Sequence, residues 1–366
     1  MLGNPMTPPF VAEIRAILSK LERSGCGDVR EEPGALKPSR LGRFGFLLAV
    51  VTFTVSLAAA NKAKLAATPA DFVPILPSQT DPAIKSFDTP HCIYPLPADA
   101  ANDRSQLLLW IPGTQPPGTE SKGPGAAGRF CEMARDLGYR AIVLKYPNDE
   151  SATVCQRDSD PGAFEKFRMA LIVGGKSPHL NVSRADSIEN RLIKLLLYLR
   201  QNRPAEGWGQ FLTEAGEIRW QSIAVAGQSQ GGGHAALLAI KHPVARVICF
   251  GAPKDYSLAL AASAAWLRAE PATPRGRFFA LNHQQDHQGC SPAEQLENLR
   301  ALGLDALGAP VNVDKEPPPY RNSHILTTNY PGTRLDSKEA HTTGISPRNE
   351  TVFGKTWAYM LTAKTP

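Results

Sequence analysis

Residues 222–240 read SIAVAGQSQGGGHAALLAI. An apolar run at 223–226 enters the turn Gly227-Gln228-Ser229-Gln230-Gly231, and a segment rich in Ala and Leu follows. The pattern is strand, tight Gly-x-Ser-x-Gly turn, helix, which is the layout of a nucleophile elbow. A serine at a strained strand-to-helix turn projects its hydroxyl clear of the sheet. Glycines two residues to either side let neighbouring backbones pass without Cβ clashes. The helix that follows aims the positive end of its dipole at negative charge developing beside the serine. Ser229 is therefore the candidate nucleophile. A dinucleotide-binding reading of GQSQGGG fails, because the G-x-G-x-x-G spacing is absent.

Working outward, apolar and helical segments alternate across more than two hundred residues. Strands are expected at 107–111 (LLLWI), 139–146 (YRAIVLKY), 246–250 (RVICF) and 277–281 (RFFAL), with short late strands at 311–313 and 325–328. Helices are expected at 125–138, 185–202, 258–267, 292–302 and 351–361. Ser183 with Asp186 makes a capping-box-like start for the second of these. The stretch 147–182 lacks clear periodicity and reads as an insertion or irregular crossover that contributes to a cleft. Such alternation implies a mostly parallel sheet with helices on both faces.

The 366 residues, 42% of them hydrophobic, support a sizeable core. We read 1–43 as an N-terminal extension, 44–60 as a signal peptide or membrane anchor, 61–104 as a linker leading through irregular structure or antiparallel edge strands, and 105–366 as one domain. Residues 44–60, FGFLLAVVTFTVSLAAA, are uncharged, follow Arg40 and Arg43, and finish in small residues. Seventeen residues lie at the lower end for a membrane span. The 43 residues ahead of them suit either a start codon placed too early or a long cytoplasmic tail. Both readings predict export: periplasmic, secreted, or membrane-anchored. An oxidising compartment allows disulfides, and Cys92, Cys131, Cys155 and Cys290 are the candidates, with Cys249 a buried hydrophobe. The net charge of +6 is not gathered into a basic block, which argues against a nucleic-acid partner. No His/Asp/Glu cluster has zinc-like spacing, so no metal and no other cofactor is expected.

With the elbow, the Pro112-Gly113-Thr114 loop after the first strand, the later strands and the late histidines in this order, residues 105–362 resemble the α/β-hydrolase superfamily, above all its exported bacterial esterase/lipase-like members. The resemblance implies an α/β-hydrolase fold and a Ser, acid, His triad in that chain order. It places oxyanion donors at the amides of Gln230 and Thr114. It puts the acid after a strand beyond the elbow, at Asp286 in ALNHQQDH, with Asp255 in GAPKDY as the alternative. Asp286 is preferred because the last-but-one strand is the superfamily's usual place for it. The base falls on a late loop. His341, in the polar stretch RLDSKEAHTTGI, has the reach. His324, at the start of HILTT, is the alternative, with a structural hydrogen bond as its plainer expectation. His234 follows Ser229 too closely to serve as its base, and His283 and His287 flank the acid. The chain departs from the commoner pattern in having Gln228, not His, before the nucleophile, which leaves the substrate class open.

The expected function is hydrolysis of a small-molecule or lipid-like carboxylic ester through an acyl-enzyme. An acyltransferase or peptidase on the same scaffold, or a binding module with a disarmed site, stay open as alternatives.

Overall fold

Strand β3, Gln106–Ile111, shows why the sheet lies where it does. Leu107, Leu109 and Ile111 point into one apolar layer, while Leu108 and Trp110 point into another, and all five are buried. A run that is apolar at every position can only be satisfied by cover on both faces, and each buried Leu or Ile side chain stabilises the fold by about 1.5–3 kcal/mol.

The structure, a computed structural model, describes residues 72–331 and 336–365. The expectations for 1–43 and 44–60 lie outside the described residues. The sheet comprises β1 (Val73–Ile75), β2 (His91–Tyr94), β3, β4 (Tyr139–Val143), β5 (Ile223–Gln228), β6 (Arg246–Phe250), β7 (Phe278–His283), β8 (Val311–Asn312) and β9 (Ile325–Thr328). The spatial order is β1-β2-β4-β3-β5-β6-β7-β9-β8. The contacts from β4 through β8 are parallel, and β1 and β2 add an antiparallel edge. Because β1 and β2 pair into the sheet, the compact unit begins ahead of residue 105.

The helices are α1 (Gly128–Asp136), α2 (Ala163–Val173), α3 (Ile188–Asn202), α4 (Gln230–Lys241), α5 (Pro292–Ala301), α6 (Ser337–Thr343) and α7 (Glu350–Thr362). Leu192, Leu195 and Leu199 of α3, with Leu171 of α2 and Leu237 of α4, build the core on one face of the sheet. Phe130 of α1 and Phe353, Trp357 and Met360 of α7 build the core on the other. A mostly parallel sheet between two helical layers, with a strand-turn-helix serine at its centre, is the α/β-hydrolase fold.

Several elements differ from expectation for identifiable reasons. The segment 147–182 contains α2, whose apolar stripe is hard to read because it is buried nearly all round and carries an inward-facing Arg168. Helix α3 starts at Ile188, not 185. Ser187 caps it by accepting from the Asn190 amide, while Asp186 is taken up by the Ser183 hydroxyl and the Arg191 guanidinium. The expected helix at 258–267 is absent. Its place is taken by a small antiparallel pair, Tyr256–Ser257 with Ala262–Ser263, and a 3-10 turn at Ala265–Arg268. Here the Ala264 amide and the Trp266 indole both turn back to Asp255, so tertiary partners override the helix propensity of the alanines. All five described cysteines are buried and unbridged, so the four bridge candidates, Cys92, Cys131, Cys155 and Cys290, are not paired.

Candidate active site

Ser229 sits between β5 and α4 at φ 56° and ψ −124°, a region that non-glycine residues enter at a cost of about 1–3 kcal/mol. The surroundings leave it no alternative. Its amide donates to the Phe250 carbonyl at 2.9 Å, and its carbonyl accepts from the Gly233 amide at 3.2 Å. The flanking glycines are required by close approach. A Cβ on Gly231 would fall 1.9 Å from the Ile111 carbonyl oxygen, and one on Gly227 would fall 2.4 Å from the Gly231 carbonyl carbon.

The loop after β3 lies directly against this turn. A Cβ on Gly113 would sit 2.7 Å from Gln228 Oε1 and 3.1 Å from Ser229 Cβ. Tyr146 donates its hydroxyl to the Pro112 carbonyl, and Asn148 clasps the loop by donating to the Gly113 carbonyl while accepting from the Gln115 amide. Thr114 is thereby held beside Ser229. Gln230 is the first residue of α4, where an N–H has no acceptor one turn back in the helix. Its side chain is pinned too, with Oε1 accepting from the Ala152 amide at 2.8 Å and Nε2 donating to the Glu150 carbonyl at 2.9 Å.

Asp286 and His341 meet at the same end of the sheet. Asp286 Oδ2 lies 2.7 Å from His341 Nδ1 and also accepts from Lys254 Nζ at 2.8 Å, while Oδ1 accepts from the Gln288 amide. Burial pushes this carboxyl up, but the hydrogen bond from His341 and the charges of His341 and Lys254 outweigh it and hold the group below the usual carboxylate range. His341 is carried on helix α6, where a loop was expected. Asp336 caps that helix by accepting from the Glu339 amide, and Gln228 Nε2 donates to the His341 carbonyl at 3.2 Å. The residue that departs from the superfamily pattern thus ties the histidine's helix to the elbow. Gly251 passes beneath the pair at φ 53°, where a Cβ would lie 3.3 Å from both Asp286 Oδ2 and His341 Nδ1.

The alternative residues are occupied elsewhere. His324 Nδ1 is 2.8 Å from the Phe278 carbonyl, and its ring stacks on Phe279 with centroids 4.4 Å apart. Asp255 forms a buried pair with Arg168, whose Nε donates to Oδ2 at 2.7 Å and whose Nη2 donates to Oδ1. Arg168 Nη1 also donates to the Gln230 carbonyl at 2.8 Å, so the pair braces the first turn of α4. His234 is enclosed beneath this brace, and its ring is held neutral by burial and by the Arg168 charge. His283 Nδ1 accepts from the Gln285 amide while Nε2 faces the Tyr330 carbonyl. Asp255→Ala would strand a buried guanidinium. It should destabilise the fold by about 3–5 kcal/mol in denaturant unfolding, and a midpoint equal to wild type would refute the brace.

Ser229, His341, Thr114 and Gln230 line one cavity of about 440 Å³, together with Phe164, Pro116, Thr153, Gln288, Lys254 and Lys338. Sequence reading did not single out Lys254, Arg168 or Phe164. The signal for Arg168 lies in the last glycine of GQSQGGG, because a Cβ on Gly233 would fall 2.2 Å from Arg168 Nη2. Among the described residues no group of three or more His, Cys, Asp and Glu side chains is arranged to hold a metal ion.

No family model and no curated protein matches the chain. Among solved structures it is similar to a thermophilic esterase, Est2, from the planctomycete Thermogutta terrifontis, at 15% identity and a TM-score of 0.35, covering 70% of this chain and 81% of that one. It is also similar to esterase B from Lactobacillus rhamnosis, at 14% identity and a TM-score of 0.40, covering 88% and 96%.

Proposed function

We propose that this chain is a serine hydrolase that cleaves small carboxylic esters through an acyl-enzyme. One observation carries the reading: a serine held in a strained turn shares a cavity with a histidine whose Nδ1 is bound to a buried carboxylate. Asp286 on Nδ1 keeps the proton there and leaves Nε2 as the free base. His341 Nε2 takes the Ser229 proton as Oγ bonds to the ester carbonyl carbon. The amides of Gln230 and Thr114 then meet the negative oxygen, in a partly dry setting where such donors act strongly. The imidazolium returns the proton to the departing alkoxide, leaving Ser229 acylated. Water, activated by the same histidine, releases the acid and regenerates the serine. A cavity of about 440 Å³ falls in the range of small-molecule sites, roughly 300–1,000 Å³, and Phe164, Pro116 and Ala152 provide apolar wall for a short acyl or alcohol group.

A fluorophosphonate probe tests the reading. It should label one serine, mapped to Ser229 by peptide mass. Labelling at no residue, with the protein folded, would leave a binding module as the surviving account.

We also propose export, on the strength of the apolar run at 44–60 with its basic flank and terminal alanines. Expressed from its own start in a bacterial host, the protein should leave the cytoplasm, trimmed near Ala60 or held at the membrane. N-terminal sequencing separates the two, and a full-length soluble cytoplasmic product would refute both.

A further inference from the structure

Lys254 stands out because its ammonium is spent on a carboxylate that already has a partner. It follows β6 in the turn GAPKDY, its side chain is 9% exposed, and its Nζ donates to Asp286 at 2.8 Å. The oxygen it uses is Oδ2, the one bound to His341 Nδ1 at 2.7 Å. Two donors on a single buried oxygen divide its charge between them, and the ammonium lies within two hydrogen-bond lengths of the imidazole. A like charge at such range disfavours the protonated ring.

We propose that Lys254 is a positioning residue of the site: by sharing Oδ2 of Asp286 it holds the carboxylate in register with His341 and draws off part of the charge that the carboxylate presents to the ring. The proposal rests on the serine-hydrolase reading for its kinetic consequence. The other groups that face this trio do not supply the effect. Asp255, next in the chain, is neutralised by Arg168 of α2. Cys290, ahead of α5, has its thiol pushed up to about 12 by burial and stays uncharged. Glu294 of α5 is turned to the Ser291 amide. His283 of β7 is bound through both ring nitrogens, and His287, in the loop beyond β7, is exposed to solvent. Lys338 of α6 lies at the exposed rim of the cavity.

The test is the pH dependence of kcat/KM for a short p-nitrophenyl ester in wild type, Lys254→Met and Lys254→Arg. Removing the ammonium should move the acid limb to higher pH by about one unit, and the arginine variant should keep it near the wild-type position. A limb that stays put in Lys254→Met overturns the proposal. So does a fall in kcat with no movement of the limb, which would mark a packing role. If the methionine variant fails to fold, Lys254→Gln keeps a neutral donor on Asp286 and must show the same movement. An NMR titration of the His341 ring, assigned by its loss in His341→Gln, reads the effect without turnover. If wild type hydrolyses no ester, the serine-hydrolase reading fails by itself. The ring titration still decides on Lys254, with a midpoint raised by about one unit in the methionine variant as support and an unchanged midpoint as refutation.

Discussion

Ser229→Ala is expected to abolish turnover of short p-nitrophenyl esters and covalent labelling by a fluorophosphonate, and to leave the protein folded. This is the largest effect expected of any single substitution, because in the proposed mechanism the hydroxyl oxygen is the atom that bonds to the acyl carbon. Loss of a triad nucleophile costs on the order of 10⁶ in kcat, or about 8 kcal/mol of barrier. Stability should hardly change. Alanine removes one half-buried oxygen, and the close passage of Gly227 and Gly231 past their neighbours, which shapes the turn, is untouched. The strain at φ 56° stays with either residue. Near-normal hydrolysis by a folded Ser229→Ala protein would end the proposal.

His341→Ala should be nearly as damaging, with kcat falling by several orders of magnitude, since the nucleophile, base and acid of the proposed triad would act as a unit. The informative comparison is His324→Ala. That ring packs face to face with Phe279, bonds to the Phe278 carbonyl, and is kept neutral by burial, with the Phe278 bond opposing the shift. Its loss should leave kcat within a few-fold of wild type and cost about 1–3 kcal/mol in unfolding, as expected when a buried hydrogen-bonded group is deleted. The two variants are thus expected to separate activity from stability. An inactive, folded His324→Ala beside a nearly normal His341→Ala would reverse the assignment.

How much of this was legible varies with the range of the interactions involved. The sheet was readable because a strand covered on both faces must be apolar throughout, a constraint that LLLWI displays over five consecutive residues and VICF, after Arg246, over four. Helix α2 was not, because its inward Arg168 looks like a solvated charge until Asp255, 87 residues away, is folded onto it. The 258–267 segment misled for a related reason. Its alanines favour a helix locally, but the Ala264 amide and Trp266 indole are captured by Asp255.

The elbow itself is a local object. The serine, the glycines that permit its geometry and the helix that follows all lie within residues 222–240, so their order along the chain was enough to specify the turn. The candidate partners of the serine are different. Asp255 and Asp286 both follow parallel strands, and His324 and His341 both come late; nothing in their spacing ranks them by contact. Packing separated them, by spending Asp255 on the buried guanidinium and His324 on Phe279, and by bringing Asp286 and His341 together over the bare backbone of Gly251. Lys254 had no sequence signature at all, because a lysine beside an aspartate in a turn reads as a solvated pair. Only the convergence of the strand ends turns it to a carboxylate 32 residues further along the chain.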